Sequence, residues 1–191
     1  MGIGPLKRAV FLDRDGVLNE AVVRDGKPYA PMSVDEVRIV PDAPEALRRL
    51  KLLGLPLIVV TNQPDVARGT QTVEAVEAID DRLRRELPLD DFFSCYHDDR
   101  DHCACRKPKP GLILQGAERY GVEPAKSFMI GDRWRDIDAG RAAGCRTIWI
   151  DRGYREQGPS APPDARVKSI GEAADWIIRQ IGQEGNLGSK P

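Results

Sequence analysis

The chain of 191 residues is 41% hydrophobic and 31% charged, a composition typical of a globular protein with a sizeable buried core. It has 29 basic and 30 acidic residues, so its net charge of −1 excludes a general electrostatic attraction to nucleic acid or to an anionic membrane. No apolar run approaches the ~18 residues that a membrane span requires, and we expect a monomer that binds neither nucleic acid nor membrane.

The first eight residues lack the long apolar stretch and the small-residue cleavage site of a signal peptide. The sequence therefore predicts a cytoplasmic protein. We expect residues 1–181 to form a single domain and residues 182–191 to form a flexible tail.

Short apolar runs alternate with amphipathic segments along the chain. Runs rich in Val, Ile, Leu and Phe predict strands at residues 9–12, 57–60, 92–95, 127–130 and 147–150. Apolar residues at helical spacing predict helices over residues 41–53, 72–87, 110–120, 136–143 and 171–181. Residues 153–166 are rich in proline and glycine and predict a long loop.

This alternation of strand and helix predicts an α/β fold, with a parallel sheet covered by helices on both faces. A sheet of this kind binds its ligand at the carboxyl ends of the strands, near a switch in strand order. Polar side chains follow the predicted strands at that edge. They are Asp13 and Asp15, then Thr61 and Asn62, then Asp132.

The two carboxylates after the first strand suit phosphoryl transfer. Asp13 can attack phosphorus, while Asp15 gives a proton to the leaving oxygen and later takes one from water. Mg²⁺ prefers oxygen ligands, and Asp132 is the natural further ligand beside Asp13 and the backbone carbonyl of Asp15. The same Asp-x-Asp-Gly pattern is also common in plain turns and opens calcium loops, although later calcium ligands at the required spacing are missing.

Three further groups can hold the oxygens of a phosphoryl group. They are the Thr61 hydroxyl, a backbone N–H near Asn62 and the ammonium of Lys107. Each also has a simpler interpretation, because Thr61 and Asn62 can cap a helix and Lys107 can be a solvated surface charge. The coincidence of all these groups at successive strand ends favours one site.

Three cysteines and one histidine form a candidate zinc site. Cys95 and His97 are followed after five residues by Cys103 and Cys105, a set of soft ligands that favours tetrahedral Zn²⁺ and leaves no open position for catalysis. His102 is a competing ligand, and a disulfide or free thiols are the alternatives to zinc. We expect a structural ion that holds the loop following it.

Four stretches resemble the motifs of the haloacid dehalogenase (HAD) superfamily. They are FLDRDGVLN at residues 11–19, VTNQ at 60–63, CRKP at 105–108 and IGD at 130–132. The resemblance covers residues 8–152 and points to the branch of heptose-bisphosphate and histidinol-phosphate phosphatases. It implies a Rossmann-like core, Mg²⁺ dependence, hydrolysis through an aspartyl-phosphate, and zinc bound through His97 rather than His102.

The resemblance also implies roles for individual residues. Asp13 is the nucleophile, Asp15 the acid/base, Thr61 and Lys107 the phosphoryl-binding residues, and Asp132 the magnesium ligand. Arg14, Arg106 and Arg133 match positions that line the substrate pocket, as Asn62 does, and Arg106 is expected to recognise the substrate. Asp136 is expected to orient Lys107 or a metal-bound water.

The spacing between the motifs leaves no room for a large cap domain, which predicts an open site for a small phosphorylated metabolite. The branch implies heptose 1,7-bisphosphate, hydrolysed at the 7-phosphate, as substrate. Histidinol phosphate is the alternative, because the zinc loop is short and residues 20–24 replace a stretch that heptose enzymes often carry. Two further alternatives are a phosphomutase, which normally needs a cap, and a zinc-stabilised binding module in which Asp13 is dispensable.

Overall fold

The structure is a computed structural model that describes residues 8–187, and the strands and helices below are those of this range. The strands are β1 (Val10–Leu12), β2 (Val22–Arg24), β3 (Lys27–Tyr29), β4 (Leu57–Asn62), β5 (Asp91–Cys95), β6 (Phe128–Gly131), β7 (Arg146–Ile150) and β8 (Ala165–Val167). The α-helices are α1 (Ala43–Leu52), α2 (Val73–Glu86), α3 (Gly111–Tyr120), α4 (Trp134–Ala143) and α5 (Ile170–Leu187). All the predicted strands and helices are present.

Six strands form one parallel sheet in the order β5-β4-β1-β6-β7-β8. From β1 the chain builds β4 and β5 on one side and then returns to place β6 on the other side. The strand order therefore switches between β1 and β6, where Leu12 pairs with Ile130. The carboxyl ends of these strands and of β4 meet at one edge, which is where an open α/β sheet binds its ligand.

Alternate residues of the central strands face two separate cores, because successive side chains of a strand point to opposite faces. Val10 and Leu12 pack in the core that contains the apolar residues of α1, α2 and α5. Ala9 and Phe11 pack in the core that contains those of α3 and α4. The predicted α/β sheet with helices on both faces is confirmed.

A hairpin formed by β2 and β3 was not predicted from the sequence. Its turn is Asp25-Gly26, with φ of 51° and 76°, the left-handed conformation that a two-residue hairpin turn of the primed type requires. The segment between β1 and α1 contains this hairpin and a 3₁₀ turn at Val34–Glu36. Within the described residues there is no large cap domain, as predicted.

The C-terminal part of the fold also differs from the prediction. The loop predicted at residues 153–166 leads into β8, which pairs with β7 and closes one edge of the sheet. The last helix continues to Leu187, so its predicted end at residue 181 is wrong. Of the predicted flexible tail, residues 182–187 are helical and residues 188–191 lie outside the described residues.

No helix between residues 8 and 187 combines the length and the apolar character that crossing a bilayer requires.

Candidate active site

The candidate site is a cavity of about 230 Å³ at the carboxyl ends of β1 and β4. All four residues predicted to be catalytic line it, namely Asp13, Asp15, Thr61 and Lys107. Asp132 follows β6 and lines an adjoining cavity, while one of its oxygens lies within 4.8 Å of oxygens of Asp13 and Asp136. The residues predicted from the strand ends therefore meet in one place.

A buried ion-pair cluster connects Asp13, Lys107 and Asp136. The Nζ of Lys107 lies 2.8 Å from Oδ1 of Asp13 and 2.6 Å from Oδ1 of Asp136, and the lysine is 2% exposed. Burial alone would lower the pKa of Lys107, but the two carboxylates outweigh burial and raise it, so the ammonium stays charged. Burial and the nearby Asp136 raise the pKa of Asp13 to about 6, against the opposing effect of Lys107.

Asp136 uses both carboxylate oxygens to hold its neighbours. Besides the contact of Oδ1 with Lys107, its Oδ2 accepts a hydrogen bond of 3.0 Å from the backbone N–H of Arg133, at the start of α4. The packing is close, because a side chain at Gly131 would collide with Asp136. This geometry supports the predicted orienting role towards Lys107.

Asp132 carries a buried carboxylate whose charged form is disfavoured, because the opposing effects of Tyr154 and Arg133 are smaller than those of burial and of the neighbouring carboxylates. It is 2% exposed, and neither oxygen has a hydrogen-bond partner in the part of the chain that the structure describes. Burial and the nearby carboxylates of Asp13 and Asp136 raise its pKa well above the usual range. A buried carboxylate without a partner is costly, and oxygen donors converging on one point suit a hard divalent cation. The residues present fit Mg²⁺.

Asp15 accepts hydrogen bonds from three side chains. Arg14 donates to both of its oxygens over 3.1–3.3 Å, Asn19 donates to Oδ1 over 3.0 Å, and Gln63 donates to Oδ2 over 2.9 Å. Sequence reasoning placed Gln63 at the end of the second predicted strand but assigned neither Gln63 nor Asn19 a contact with Asp15, although both lie inside the motifs that carry the resemblance. Their contact with Asp15 depends on how the loops fold, and residue spacing alone does not reveal it.

Arg14 does not line the cavity, so the prediction that it contributes to the substrate pocket is wrong. Its side chain is 0% exposed and extends to α2, where Nη1 lies 2.9 Å from Oδ1 of Asp80. Burial would lower the pKa of Arg14, but the carboxylates of Asp15 and Asp80 raise it. A buried arginine is stable only with such partners, and of the two carboxylates only Asp15 lines the cavity.

Asn62 connects β4 to the loop that carries Lys107. Its amide nitrogen donates to the carbonyl of Lys107, and its amide oxygen accepts from the N–H of Lys107, both over 3.0 Å. The Asn62 side chain thus holds the backbone of Lys107 in place. Asn62 also lines the cavity, as predicted for a residue of the substrate pocket.

Two of the predicted arginines line the cavity, and each is paired with a carboxylate. Nε of Arg106 donates to Asp99 over 2.8 Å, and Arg133 forms an ion pair with Glu156. Arg135, which sequence reasoning missed, donates to both carboxylate oxygens of Asp99 over 3.1 and 3.2 Å. Nothing in the local sequence distinguishes Arg135 or these acidic partners, because the pairs join separate segments of the chain.

The β2–β3 hairpin contributes another part of the cavity wall, namely Lys27, Pro28 and Tyr29. This contribution was also missed. The dipeptide Asp25-Gly26 was an available signal, because it is one of the strongest short-range indications of a hairpin.

The predicted zinc ligands form one cluster beside the cavity. The sulfur atoms of Cys95 and Cys103, the sulfur atoms of Cys103 and Cys105, and Nδ1 of His97 with the sulfur of Cys95 or Cys105 are 3.4–3.7 Å apart. The sulfur atoms of Cys105 and Cys95 are 2.9 Å apart, and the four candidate ligand atoms all lie within 4.8 Å of one another. Ligand atoms of a tetrahedral zinc site with these donors are about 3.5–3.8 Å apart, so the cluster fits zinc. His102 is outside the cluster.

A family model for haloacid dehalogenase-like hydrolases matches residues 19–144. A D-glycero-beta-D-manno-heptose-1,7-bisphosphate 7-phosphatase from Pasteurella multocida is 37% identical over 149 residues, which are 72% of this chain and 78% of that protein. One of the same name from Helicobacter pylori is 34% identical, over 89% of this chain and 97% of that protein.

Similar structures are also known. The crystal structure of D,D-heptose 1,7-bisphosphate phosphatase from B. bronchiseptica, complexed with magnesium and phosphate, matches with a TM-score of 0.78 and 30% identity. The match covers 92% of this chain and 99% of that chain.

Proposed function

The chain belongs to the haloacid dehalogenase-like hydrolases, and from this premise we propose that it removes the 7-phosphate of heptose 1,7-bisphosphate, with Asp13 as nucleophile. The observation that carries the proposal is the buried Asp13 carboxylate on the cavity wall, 2.8 Å from the Lys107 ammonium and beside the unpartnered carboxylate of Asp132.

The reaction proceeds in two steps. In the first, an oxygen of Asp13 forms a bond to phosphorus, the bond to the leaving oxygen breaks, and Asp15 gives that oxygen a proton. In the second, Asp15 takes a proton from water, which attacks phosphorus and releases phosphate and Asp13. Lys107 and Thr61 hold phosphoryl oxygens and stabilise the charge on them.

The cation site serves the same chemistry. Asp13, Asp132 and the backbone carbonyl of Asp15 would hold Mg²⁺, which screens the repulsion between carboxylate and phosphate when bound. Asp136 keeps Lys107 in place, since both of its oxygens are already engaged.

Two features support heptose 1,7-bisphosphate as the substrate. The relatives described above carry that name, and the cavity wall contains Lys27, Arg68, Arg106, Arg133 and Arg135, which suit a ligand with a second phosphate. Histidinol phosphate remains the second candidate because of the short zinc loop. Measuring kcat/KM for both esters decides between them.

The test of the hydrolase is release of inorganic phosphate with Mg²⁺ and zinc present. We expect Asp13→Asn to lower kcat by at least about 10³-fold, because the nucleophile is lost. The control is Asp175→Asn, the same change at a partly exposed residue of α5, which should retain activity. A binding module would release no phosphate from any ester, and a phosphomutase would transfer phosphate to a sugar acceptor instead of water.

A further inference from the structure

Gln63 is a buried residue beside the candidate site that has no assigned role so far. It is 1% exposed and is not among the residues that line the cavity. Its backbone N–H donates to the carbonyl of Cys95 over 2.7 Å, which fixes the residue to the end of β5. The side chain therefore starts from a well-anchored position.

The amide nitrogen of Gln63 connects two of the proposed catalytic residues. Nε2 donates to Oδ2 of Asp15 over 2.9 Å and to Oγ1 of Thr61 over 2.8 Å, so both of its hydrogens are used. The amide oxygen is buried and has no partner among the described residues. The reverse amide orientation would place that oxygen against a carboxylate, so the contacts determine which way the amide points.

The hydrogen bonds from Gln63 orient the Thr61 hydroxyl and the Asp15 carboxyl group. Thr61 accepts a hydrogen bond from Gln63, so its own hydroxyl hydrogen is free to donate into the cavity that Thr61 lines. Asp15 has its other donors, Arg14 and Asn19, in its own strand–loop segment, and Gln63 is the contact that comes from β4. Between residues 8 and 187 no other side chain on the β4 side donates a hydrogen bond to this carboxyl group.

We infer that Gln63 is a positioning residue that orients Asp15 for proton transfer to the leaving group. The inference rests on the proposed function. In the first step the proton passes from Asp15 to the leaving oxygen while the bond from that oxygen to phosphorus breaks and the Asp13–phosphorus bond forms. An ester with a poor leaving group depends on this proton, whereas one with a good leaving group departs largely without it.

The test uses a series of substituted phenyl phosphates with Gln63→Met, which removes the donor and nearly preserves side-chain volume. We expect kcat/KM to fall about 100-fold for phenyl phosphate and less than about tenfold for p-nitrophenyl phosphate, because general acid catalysis contributes about 10²–10⁴-fold. The rate would thus depend more steeply on the leaving-group pKa in the variant. A merely structural role would lower kcat/KM equally for all esters.

Gln71→Met is the matched control. Gln71 is 7% exposed, its Nε2 donates to the carbonyls of Pro31 and Met32 over 3.1 Å each, and its amide oxygen also has no partner within the described range. We expect this variant to keep the wild-type dependence on the leaving group. Thermal unfolding of both variants shows whether they are folded, so that a steeper dependence of kcat/KM on the leaving-group pKa can be attributed to the loss of the Gln63 amide.

Three outcomes would contradict one or the other proposal. An equal loss for all esters in Gln63→Met would overturn the positioning role. So would failure of both Gln63→Met and Gln63→Glu to fold while Gln71→Met folds. If the wild type hydrolyses no ester with Mg²⁺ and zinc present, the proposed function itself is wrong.

Discussion

Asp132 is a buried acidic residue whose charged form its surroundings disfavour. Its carboxylate is enclosed near those of Asp13 and Asp136 and has no hydrogen-bond partner in the described part of the chain. In a folded protein such a group is tolerated when it serves a ligand, and a cation is the ligand that this one suits. Replacing this carboxylate by an amide should therefore change the free energy of unfolding.

We predict that Asp132→Asn raises the free energy of unfolding by about 1–3 kcal/mol in magnesium-free buffer with zinc supplied, because it removes a carboxyl group whose charged form burial and the neighbouring carboxylates disfavour. Adding Mg²⁺ at about 100 times its Kd should stabilise the wild type by about 2.7 kcal/mol and the variant much less. Denaturant unfolding with and without Mg²⁺ measures both. A variant that is less stable than wild type without Mg²⁺, or equally stabilised by it, would contradict the metal site.

At the scale of elements, the segment from the end of β5 to the start of α3 carries both the candidate zinc ligands and Lys107. Cys105 lies two residues before Lys107, whose backbone Asn62 holds from β4. The cysteine cluster on one side and the hydrogen bonds from Asn62 on the other restrict the backbone at Lys107. We therefore expect them to hold the Lys107 ammonium at its 2.8 Å contact with Asp13. Loss of one attachment should affect both the stability of the loop and the reaction.

We predict that the Cys105→Ser variant does not retain zinc. Its Tm should be lower than that of the wild type by about 4 °C or more, and its rate of phosphate release should also be lower. A loss of about 1–2 kcal/mol produces such a Tm shift in a chain of this size. Metal analysis, thermal unfolding and activity are measured on the same sample. Cys145→Ser, a buried cysteine outside the cluster, should retain zinc. Full activity and unchanged Tm in zinc-free wild type would contradict the structural role.

At the scale of the whole molecule, the residues after β7 form β8, the last strand at one edge of the six-stranded sheet. Asp151 joins these segments, since it accepts from Lys168 over 2.8 Å, from the N–H of Gly153 over 3.0 Å and from Arg166 over 2.9 Å. These donors lower the pKa of Asp151 to about 2, with the Lys168 contact the largest cause. Its ionised form therefore contributes to the stability of the fold.

The sign of the pH dependence follows from this shift. A carboxyl group with a lower pKa in the folded state stabilises the protein above its ordinary pKa of 3.8, and the contribution is lost as pH falls towards about 2. We predict that Asp151→Asn removes this part of the acid dependence of unfolding. Glu118→Gln, at an exposed residue of α3, should not. If the free energy of unfolding of Asp151→Asn falls with decreasing pH just as that of the wild type does, the contacts of Asp151 do not stabilise the fold.

Sequence reasoning succeeded where it used a local pattern, and it overlooked the local hairpin signal at Asp25-Gly26. The period of apolar residues indicated the strands and helices, and the parallel sheet followed from their alternation. Because parallel strands end at a common edge, residues such as Asp13, Thr61 and Asp132 could be assigned to one region before their distances were known. The candidate zinc ligands were recognisable because their chemistry and spacing lie in one short segment.

The tertiary structure alone decided which way each side chain points and what it meets. Arg14 sits between two aspartates in the sequence, yet its partner Asp80 is 66 residues away and draws it out of the cavity. Gln63 reaches Asp15 across 48 residues, and the cavity wall formed by β2 and β3 depends on a turn at Asp25-Gly26. Side-chain direction follows from packing and from pairing of buried charges between distant segments, and the periodicity of a single chain does not encode these contacts.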